Sequence, residues 1–312
     1  MAVVHLLASF FARRAGLRGR PLRGPVLPAD LPTAAPGHLI HAPAAGLSVA
    51  RGRLKPVDRR CTGEGHGVED WHGMGDWHGG VLIGFDLETT GTEPGESRIV
   101  TAALVEVRGG AVRERRGWLA DPGIPIPEGA SAIHGISTER AVAEGRPVRE
   151  VADEVAEALV GHWRDGAVVV AYNAAFDLTL LTAELARHGL PSLADRLGGA
   201  QTGPVVDPLT IDRAVDRYRR GKRTLEAVCG VYGVTLDDAH DAGADALAAV
   251  QVARAIAERH PEVASLTPAD LHARQSTWHA RWARDFQSYL RRQGTPDAVI
   301  DAAWPLRGLV PA

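Results

Sequence analysis

Hydrophobic and polar positions follow regular patterns from residue 81 onward, and these patterns predict a folded domain. The first segment, 81–91, reads VLIGFDLETTG, and its apolar positions predict a buried strand. Two more apolar segments, 99–107 and 112–119, predict strands joined at Gly109 and Gly110, a pair typical of a hairpin turn. The domain is therefore predicted to open with three consecutive strands.

Helical periodicity begins after these strands. Pro147 precedes a segment whose apolar residues recur at three- and four-residue spacing, the pattern of an amphipathic helix: Val148, Val151, Val155 and Leu159. Further helices are predicted from Asn173 to His188, ended by Gly189, and over residues 211–219, 224–231, 241–259 and 267–292. Short strands are predicted at 167–171 and 205–207, and an irregular loop at 122–137. This order indicates an α/β fold with a mixed sheet flanked by helices.

The helix predicted at 267–292 carries a stripe of large apolar residues: Leu271, Trp278, Trp282, Phe286 and Tyr289. Such a stripe predicts packing onto the main domain, with a partner-binding helix as the alternative. We accordingly divide the chain into an N-terminal extension (1–79), a main folded domain (80–260) and a helical C-terminal extension (261–312).

The N-terminal extension has no strand or helix period and is rich in Pro, Gly and Arg, so we expect it to be disordered. The only methionines are Met1 and Met74, and we interpret residues 1–73 as the product of a start codon assigned too far upstream. The alternative is a signal or transit peptide, which the apolar, Arg-rich opening imitates without a clear small-residue cleavage site.

Composition narrows the class of protein. Of 312 residues, 45% are hydrophobic, enough for a substantial core, and no apolar run approaches the roughly 20 residues that span a bilayer. The only cysteines are Cys61 and Cys229, too few for a disulfide framework or zinc site, which predicts a cytoplasmic protein with no membrane association. A net charge of −3 excludes a globally basic nucleic-acid binder but permits a local phosphate track, for which the basic run 217–223 is a candidate; a solvated loop is the alternative.

The candidate chemistry lies in four carboxylates. Asp86 and Glu88 are two positions apart on the first strand, so their side chains point to the same face. Asp177 follows the strand ending in AYNAAFD, and Asp245 lies in the segment HDAGAD. Alone, each has a structural explanation: an acidic strand end, a first-turn acid favoured by the helix dipole, or a solvated surface charge. Together they supply the oxygen ligands of Mg²⁺ or Mn²⁺, and two such ions roughly 3.5–4 Å apart recur in phosphodiester cleavage.

These motifs resemble those of the DEDDh-type 3′-to-5′ exonuclease family, in particular the bacterial DNA polymerase III epsilon-subunit type. The resemblance spans about residues 81–259: FDLETTG, the IHGI of 133–136, AYNAAFD, and His240 five residues before Asp245. It implies an RNase H-like fold, two Mg²⁺ or Mn²⁺ ions held by the four carboxylates, and His240 as general base. For His240 alone, a loop residue that caps the next helix is the competing explanation.

The resemblance also implies four substrate contacts: Thr89 and Thr90 along the terminal nucleotide, and His134 and Asn173 beside the cleft. The competing explanations are turn residues for the threonines and a structural role for His134. We expect a metal-dependent exonuclease that trims single-stranded DNA from its 3′ end and releases nucleoside 5′-monophosphates, in proofreading, repair or DNA turnover. An RNA-trimming exonuclease and a replication or repair accessory protein are the alternatives. No clamp-binding segment follows Arg259, which leaves association with a replicative polymerase open.

Overall fold

The structure, a computed structural model, describes residues 76–236 and 240–308. Over these residues the strands are β1 (Val81–Thr89), β2 (Ile99–Arg108), β3 (Ala111–Asp121), β4 (Arg146–Pro147), β5 (Val168–Val170) and β6 (Val205–Val206). The helices are α1 (Glu128–His134), α2 (Thr138–Glu144), α3 (Val148–Arg164), α4 (Ala174–Arg187), α5 (Leu193–Arg196), α6 (Pro208–Val215), α7 (Leu225–Tyr232), α8 (Ala242–Arg259), α9 (Pro261–Ala264) and α10 (Pro268–Arg292).

The strands form one mixed sheet in the order β4-β3-β2-β1-β5-β6. Strands β1, β2 and β3 pair antiparallel, and Gly109 and Gly110 turn the β2–β3 hairpin with positive φ angles of 56° and 84°. On the other side of β1, strands β5 and β6 pair parallel to it. The carboxyl ends of β1, β5 and β6 therefore meet at one edge of the sheet.

The two faces of the sheet carry separate cores. On one face, Ile83, Phe85 and Leu87 of β1 pack against apolar residues of α3 and α4. On the other face, Leu82 packs with residues of α7 and α8, among them Val250. Alternation along β1 thus buries both faces of the same strand, and helices cover the sheet on both sides.

Helix α10 packs against α6 and lies along the free side of β6. The Gln275 side chain accepts a hydrogen bond from Asp207 N (2.6 Å) and donates one to Val205 O (2.9 Å). His272 Nδ1 accepts a further bond from Val205 N at 3.1 Å. Side chains of α10 therefore satisfy the outward-facing backbone groups of β6.

Most of the elements predicted from the sequence are confirmed, but the loop predicted at 122–137 is wrong in part. It contains helix α1, because Pro122, Pro125 and Pro127 all precede the helical segment and do not interrupt it. Helix α1 ends at Gly135, whose φ of 74° lies in the left-handed region.

The predicted stripe of α10 also needs a correction. The helix packs onto the main domain, but its buried residues are Leu271, Gln275, His279 and Ala283. Of the predicted stripe, only Leu271 is among them, because the aromatic residues lie on a neighbouring face of the helix. The helical spacing of the apolar residues thus predicted the helix but not which of its sides faces the core.

The predicted N-terminal extension, including Met74, lies outside the described residues except for its last four, 76–79. Within these, Trp77 is 4% exposed and its indole donates to Val263 O at 3.2 Å. Trp77 therefore belongs to the folded domain. No helix among the described residues is long and apolar enough to cross a membrane.

Candidate active site

Strand β1 brings Asp86 and Glu88 to the carboxyl edge of the sheet, on the face that α8 covers. Their neighbours Phe85 and Leu87 point into the opposite core. The two carboxylates are nearly enclosed, with 6% and 5% of their surface exposed. The pair predicted to share a face is therefore buried next to the helix that carries Asp245.

Asp177 reaches the same place from the first turn of α4. Its Oδ1 accepts a hydrogen bond from the backbone N of Leu87 at 3.1 Å, which ties the helix to the strand between Asp86 and Glu88. Helix α4 begins after Asn173, which has a left-handed φ of 68° and donates its N–H to Asp207 Oδ1 at 3.0 Å. Asp207 therefore helps to set where the helix carrying Asp177 begins.

Helix α8 supplies Asp245, which is 1% exposed. The helix is capped by Asp241, which accepts from Ala244 N at 3.0 Å, so His240 is not the cap. His240 itself has a positive φ of 74°. One ligand atom each from Glu88, His240 and Asp245 lie within 4.8 Å of one another. The predicted histidine and carboxylates are thus brought together.

Burial and mutual repulsion make this group of carboxylates hard to ionise. Burial raises the pKa of Asp86 well above its usual range, and the neighbouring Asp177 raises it further. Burial likewise raises the pKa of Glu88 and of Asp177 to about 7, and it shifts that of Asp245 upward. Several carboxylates buried close together are the arrangement that a bound cation stabilises.

The polar atoms of the site fit a divalent metal. Among the described residues, four buried carboxylate oxygens have no hydrogen-bond partner: Asp86 Oδ2, Glu88 Oε1, Asp245 Oδ1 and Asp245 Oδ2. Buried oxygens without partners are costly, and hard cations such as Mg²⁺ and Mn²⁺ take carboxylate oxygens as ligands. His240 Nδ1 is also buried without a partner, which leaves a histidine nitrogen for proton transfer.

The predicted substrate residues differ in how they relate to the group of carboxylates. The Thr89 hydroxyl donates to Gly91 O at 2.7 Å, and Thr90 Oγ1 accepts from Arg98 N at 3.0 Å, so both hydroxyls stabilise the turn after β1. His134 Nδ1 accepts from Ile136 N at 3.2 Å, while its Nε2 is buried without a partner among the described residues. Burial lowers the pKa of His134, and the charge of His240 lowers it further, which places His134 on the border of the site.

Two residues that shape the site were not singled out from the sequence. Asp207 holds Asn173 and caps α6, and the Asp-Pro pair at 207–208 is a helix-start signal that would have identified the cap. Gly84 lies in the interior of β1 under α8, where an added Cβ would meet the carbonyl carbon of Ala246 at 2.8 Å. A glycine inside a strand often marks such a close approach.

A mixed sheet with acidic residues at the carboxyl end of its central strand and on the flanking helices defines a class of metal-dependent nucleases. The sequence model of the RNase_T family, described as Exonuclease, matches residues 83–253. The chain belongs to this exonuclease family. Both the resemblance and the enzyme class predicted from the motifs are confirmed.

Related proteins agree with this assignment. The chain is 32% identical to the PolC-type DNA polymerase III of Streptococcus thermophilus over 163 residues, which cover 52% of this chain and 10% of that protein. The PolC-type enzyme of Halalkalibacterium halodurans is 31% identical over 166 residues, 53% of this chain and 10% of that protein. The chain thus spans a small part of the length of these relatives.

Solved structures show the fold. Escherichia coli Exonuclease I in complex with a dT13 oligonucleotide superposes with a TM-score of 0.51 and 22% identity, over 59% of this chain and 42% of that one. The zinc-bound Exonuclease I complex with single-stranded DNA gives 0.51 and 21%, over 64% and 43%. The predicted RNase H-like fold is confirmed.

Proposed function

We propose that this protein is a metal-dependent 3′-to-5′ exonuclease that hydrolyses single-stranded DNA from its 3′ end and releases nucleoside 5′-monophosphates. The observation that supports this most directly is the buried group of four carboxylates beside His240, three of which, Asp86, Glu88 and Asp245, have oxygens without a hydrogen-bond partner, in a chain of the exonuclease family. The E. coli Exonuclease I structures contain single-stranded DNA, and this supports the same substrate here.

We assign the metal-holding role to Asp86, Glu88, Asp177 and Asp245, with two Mg²⁺ or Mn²⁺ ions as the proposed complement. Bound there, divalent cations stabilise the negative charge that develops on the phosphodiester as it is cleaved. The protein's contribution is to hold the carboxylates close together through the Leu87–Asp177 hydrogen bond and the packing of α8 on β1.

His240 is the proposed general base, which accepts the proton of the attacking water at a ring nitrogen. Its position supports this role, because the ring is beside Glu88 and Asp245 while another residue caps the helix. Proton transfer by a positioned side chain, most often the imidazole of a histidine, is a common part of hydrolytic catalysis. The backbones of Thr89 and Thr90, together with His134 and Asn173, are proposed to border the terminal nucleotide.

A single assay tests the reaction. Purified protein is incubated with matched DNA and RNA oligonucleotides labelled at the 5′ end, with Mg²⁺, with Mn²⁺ and with excess chelator. The expected result is a ladder of 5′-labelled DNA fragments that shorten from the 3′ end, with mononucleotide products and no cleavage in chelator. Undiminished cleavage in chelator contradicts the metal assignment, and faster trimming of RNA contradicts the DNA preference.

The cellular role that we propose is in DNA replication or repair. The PolC-type relatives support a place in DNA replication or repair. A cytoplasmic location stays a prediction from composition. Co-purification with a replicative polymerase would support the replication role, and a repair defect on deletion of the gene would support the repair role.

A further inference from the structure

A cleft of about 770 Å³ lies outside the carboxylate site, between α6, the loop that follows it, and the second half of α10. We propose that this cleft binds the part of the single-stranded DNA substrate that lies upstream of its 3′ end. The inference rests on the proposed function for the identity of the strand, and it adds a second binding site formed largely by α10, outside the matched residues 83–253.

The wall of the cleft on α10 is a column of aromatic rings. The rings of Trp282 and Phe286 are nearly parallel, at 14°, with centroids 5.4 Å apart, and Tyr289 continues the column at 6.3 Å and 15°. Tyr289 is 49% exposed, so the column ends in solvent. Phe286 is stacked between the other two rings and Arg213 lies over Trp282, so the outward face of Tyr289 is the ring surface on which a base of a single-stranded nucleic acid can stack.

The other walls are strongly cationic. Four arginines line the cleft, Arg213, Arg217, Arg223 and Arg281, against a single carboxylate, Asp285, which pairs with Arg217 at 2.8 Å. The guanidinium of Arg213 lies 3.7 Å from the centroid of Trp282, so charge and ring surface adjoin. With Arg217 paired to Asp285 and Arg223 to Asp212, the excess positive charge of the cleft comes from Arg213 and Arg281. The chain as a whole carries a charge of −3, so this local excess favours an anionic partner.

Besides Arg217, which pairs with Asp285, two side chains of the basic run pair with a buried carboxylate and do not serve as free phosphate ligands. Arg219 and Arg223 both pair with the fully buried Asp212, which fixes the loop between α6 and α7. The phosphate track predicted over 217–223 is therefore narrower than its sequence suggests. Arg281, which is exposed on α10, adds a cation that the basic run does not contain.

The cleft lies toward the same edge of the sheet as the carboxylates. Gln275 bonds to Asp207 N, which marks the carboxyl end of β6. Trp282 is seven residues further along α10, about 10 Å at 1.5 Å per residue, and Arg213 of α6 lies over it. Tyr172, just after β5, donates to Arg223 O at 2.8 Å and joins the loop to that edge. A strand whose 3′ end is at the carboxylates therefore has this cleft on the neighbouring surface.

Binding by length tests the proposal. In an Asp86→Asn background, which is used to prevent cleavage, fluorescence anisotropy gives Kd for oligothymidylates of about 4 and 12 nucleotides at fixed salt. We expect the longer strand to bind at least about tenfold more tightly, and Tyr289→Ala or Arg281→Ala to remove most of this gain without changing the affinity of the short strand. Arg281→Ala should also reduce the slope of log Kd against log salt concentration by about 1, the change expected when one phosphate contact is lost.

Arg284→Ala is the matched control, because Arg284 is exposed on the same helix, carries the same charge and does not line the cleft. Equal weakening by Arg281→Ala and Arg284→Ala would indicate unspecific attraction and overturn the proposal. So would unchanged binding in both cleft variants. Melting temperatures confirm that each variant is folded, and both substituted side chains are exposed, which favours intact folding.

Two further readouts separate this proposal from its alternatives. In the active enzyme, the cleft variants should hydrolyse thymidine 5′-monophosphate p-nitrophenyl ester at the wild-type rate, because this ester is too small to reach the cleft. Their activity should fall only on long strands. Failure of wild-type enzyme on every substrate contradicts the proposed function, while the binding data still decide on the cleft. A concentration-dependent dimer in sedimentation that Tyr289→Ala abolishes, without an effect on the oligonucleotide, would assign the cleft to self-association and overturn the proposal.

Discussion

Gly84 of β1 lies directly beneath the backbone of Ala246 in α8. A Cβ at Gly84 would overlap the carbonyl oxygen of Ala246 and lie 2.8 Å from its carbonyl carbon and 3.1 Å from Val250 Cγ2. Two of these are backbone atoms, so rotating a side chain does not relieve the overlap. Since Asp245 precedes Ala246, the missing side chain at Gly84 determines how close that carboxylate comes to Asp86 and Glu88.

We therefore expect Gly84→Ala to impair catalysis strongly, although it adds only one methyl group. Overpacking at a closed contact costs about 1–3 kcal/mol of stability, and the shift of α8 carries Asp245 away from its partners. A misplacement of about 1 Å near reacting groups lowers rates by about 100-fold. The measurement is the single-turnover rate together with the free energy of unfolding in urea.

Gly161→Ala is the matched control for this change. Gly161 lies inside α3, has no heavy atom within 4 Å of an added Cβ, and does not have a positive φ. Alanine there should keep the rate and stabilise the helix by about 0.5–1 kcal/mol. Full activity of Gly84→Ala would show that α8 can move without disturbing the site.

A second prediction concerns His240. Because its φ of 74° strains most side chains, we choose His240→Asn, which tolerates the left-handed region while removing the imidazole. The single-turnover rate at saturating substrate should fall by about 10²- to 10⁴-fold with nearly unchanged Kd for metal and substrate. The deficit should shrink as pH rises from about 6.5 to 9.5, because the attacking water then ionises without a base.

Two outcomes would contradict the assignment of His240. A wild-type rate in His240→Asn across that pH range shows that another group accepts the proton. A loss of substrate affinity at an unchanged saturated rate shows that His240 positions the nucleotide.

A third prediction follows from the raised pKa values of the carboxylates. The folded protein without metal retains protons on Glu88 and Asp177 up to about pH 7, whereas the unfolded chain releases them near pH 4. The folded state therefore binds more protons in this window, and stability must fall as pH rises from about 4 through 7. Moving one pKa from near 4 to about 7 corresponds to about 4 kcal/mol, so we expect a loss of at least about this size, measured by urea unfolding in chelator.

Asp86→Asn should flatten this pH profile and stabilise the metal-free protein at pH 8, because it removes one anion from the buried group. Asp297→Asn, at an exposed position, is the control and should leave the profile unchanged. Added Mg²⁺ should raise the wild-type melting temperature more at pH 8 than at pH 5, since ligands bind in their deprotonated form. A profile that rises with pH in chelator would contradict the raised pKa values.

A fourth prediction separates the two possible domain starts. A chain that begins at Met74 keeps Trp77, with its 4% exposure and its hydrogen bond to Val263 O, and should match the melting temperature and specific activity of the whole chain. A chain that begins at Val81 loses this contact, and we expect it to be destabilised by about 3–5 kcal/mol, the cost of removing a buried tryptophan.

Trp77→Phe in the whole chain is the control for that comparison. It retains an aromatic ring in the core and loses the indole hydrogen bond, so the expected cost is about 1 kcal/mol. If the Met74 chain unfolds, residues 1–73 contribute to stability and the start-codon interpretation loses its structural support.

The positions of the acidic residues were more predictable from the sequence than the surfaces around them. Asp86 and Glu88 were predictable because the period of a strand places alternate residues on one face, and the motif order placed Asp177 and Asp245 beside them. Helix α1 was missed because three prolines suggested a loop, although all of them precede the helix. The orientation of α10 was not predictable, since its core-facing positions include polar Gln275 and His279, whose role depends on backbone groups of distant segments.

The contacts of Gln275 and His272 with β6 also bear on how the protein behaves in concentrated solution. Backbone groups at the border of a sheet pair readily with a strand from another molecule, and this is a common route to aggregation. Here α10 occupies those groups. At the opposite border β4 pairs only with Ala120 and Asp121 of β3, and the rest of that outer strand carries exposed charged residues such as Arg113, Glu114 and Arg115, which disfavour pairing with another chain. Mild heating that detaches α10 should therefore expose the unpaired backbone groups of β6 while the rest of the sheet is still folded. We expect turbidity from aggregation to appear before the loss of β-structure.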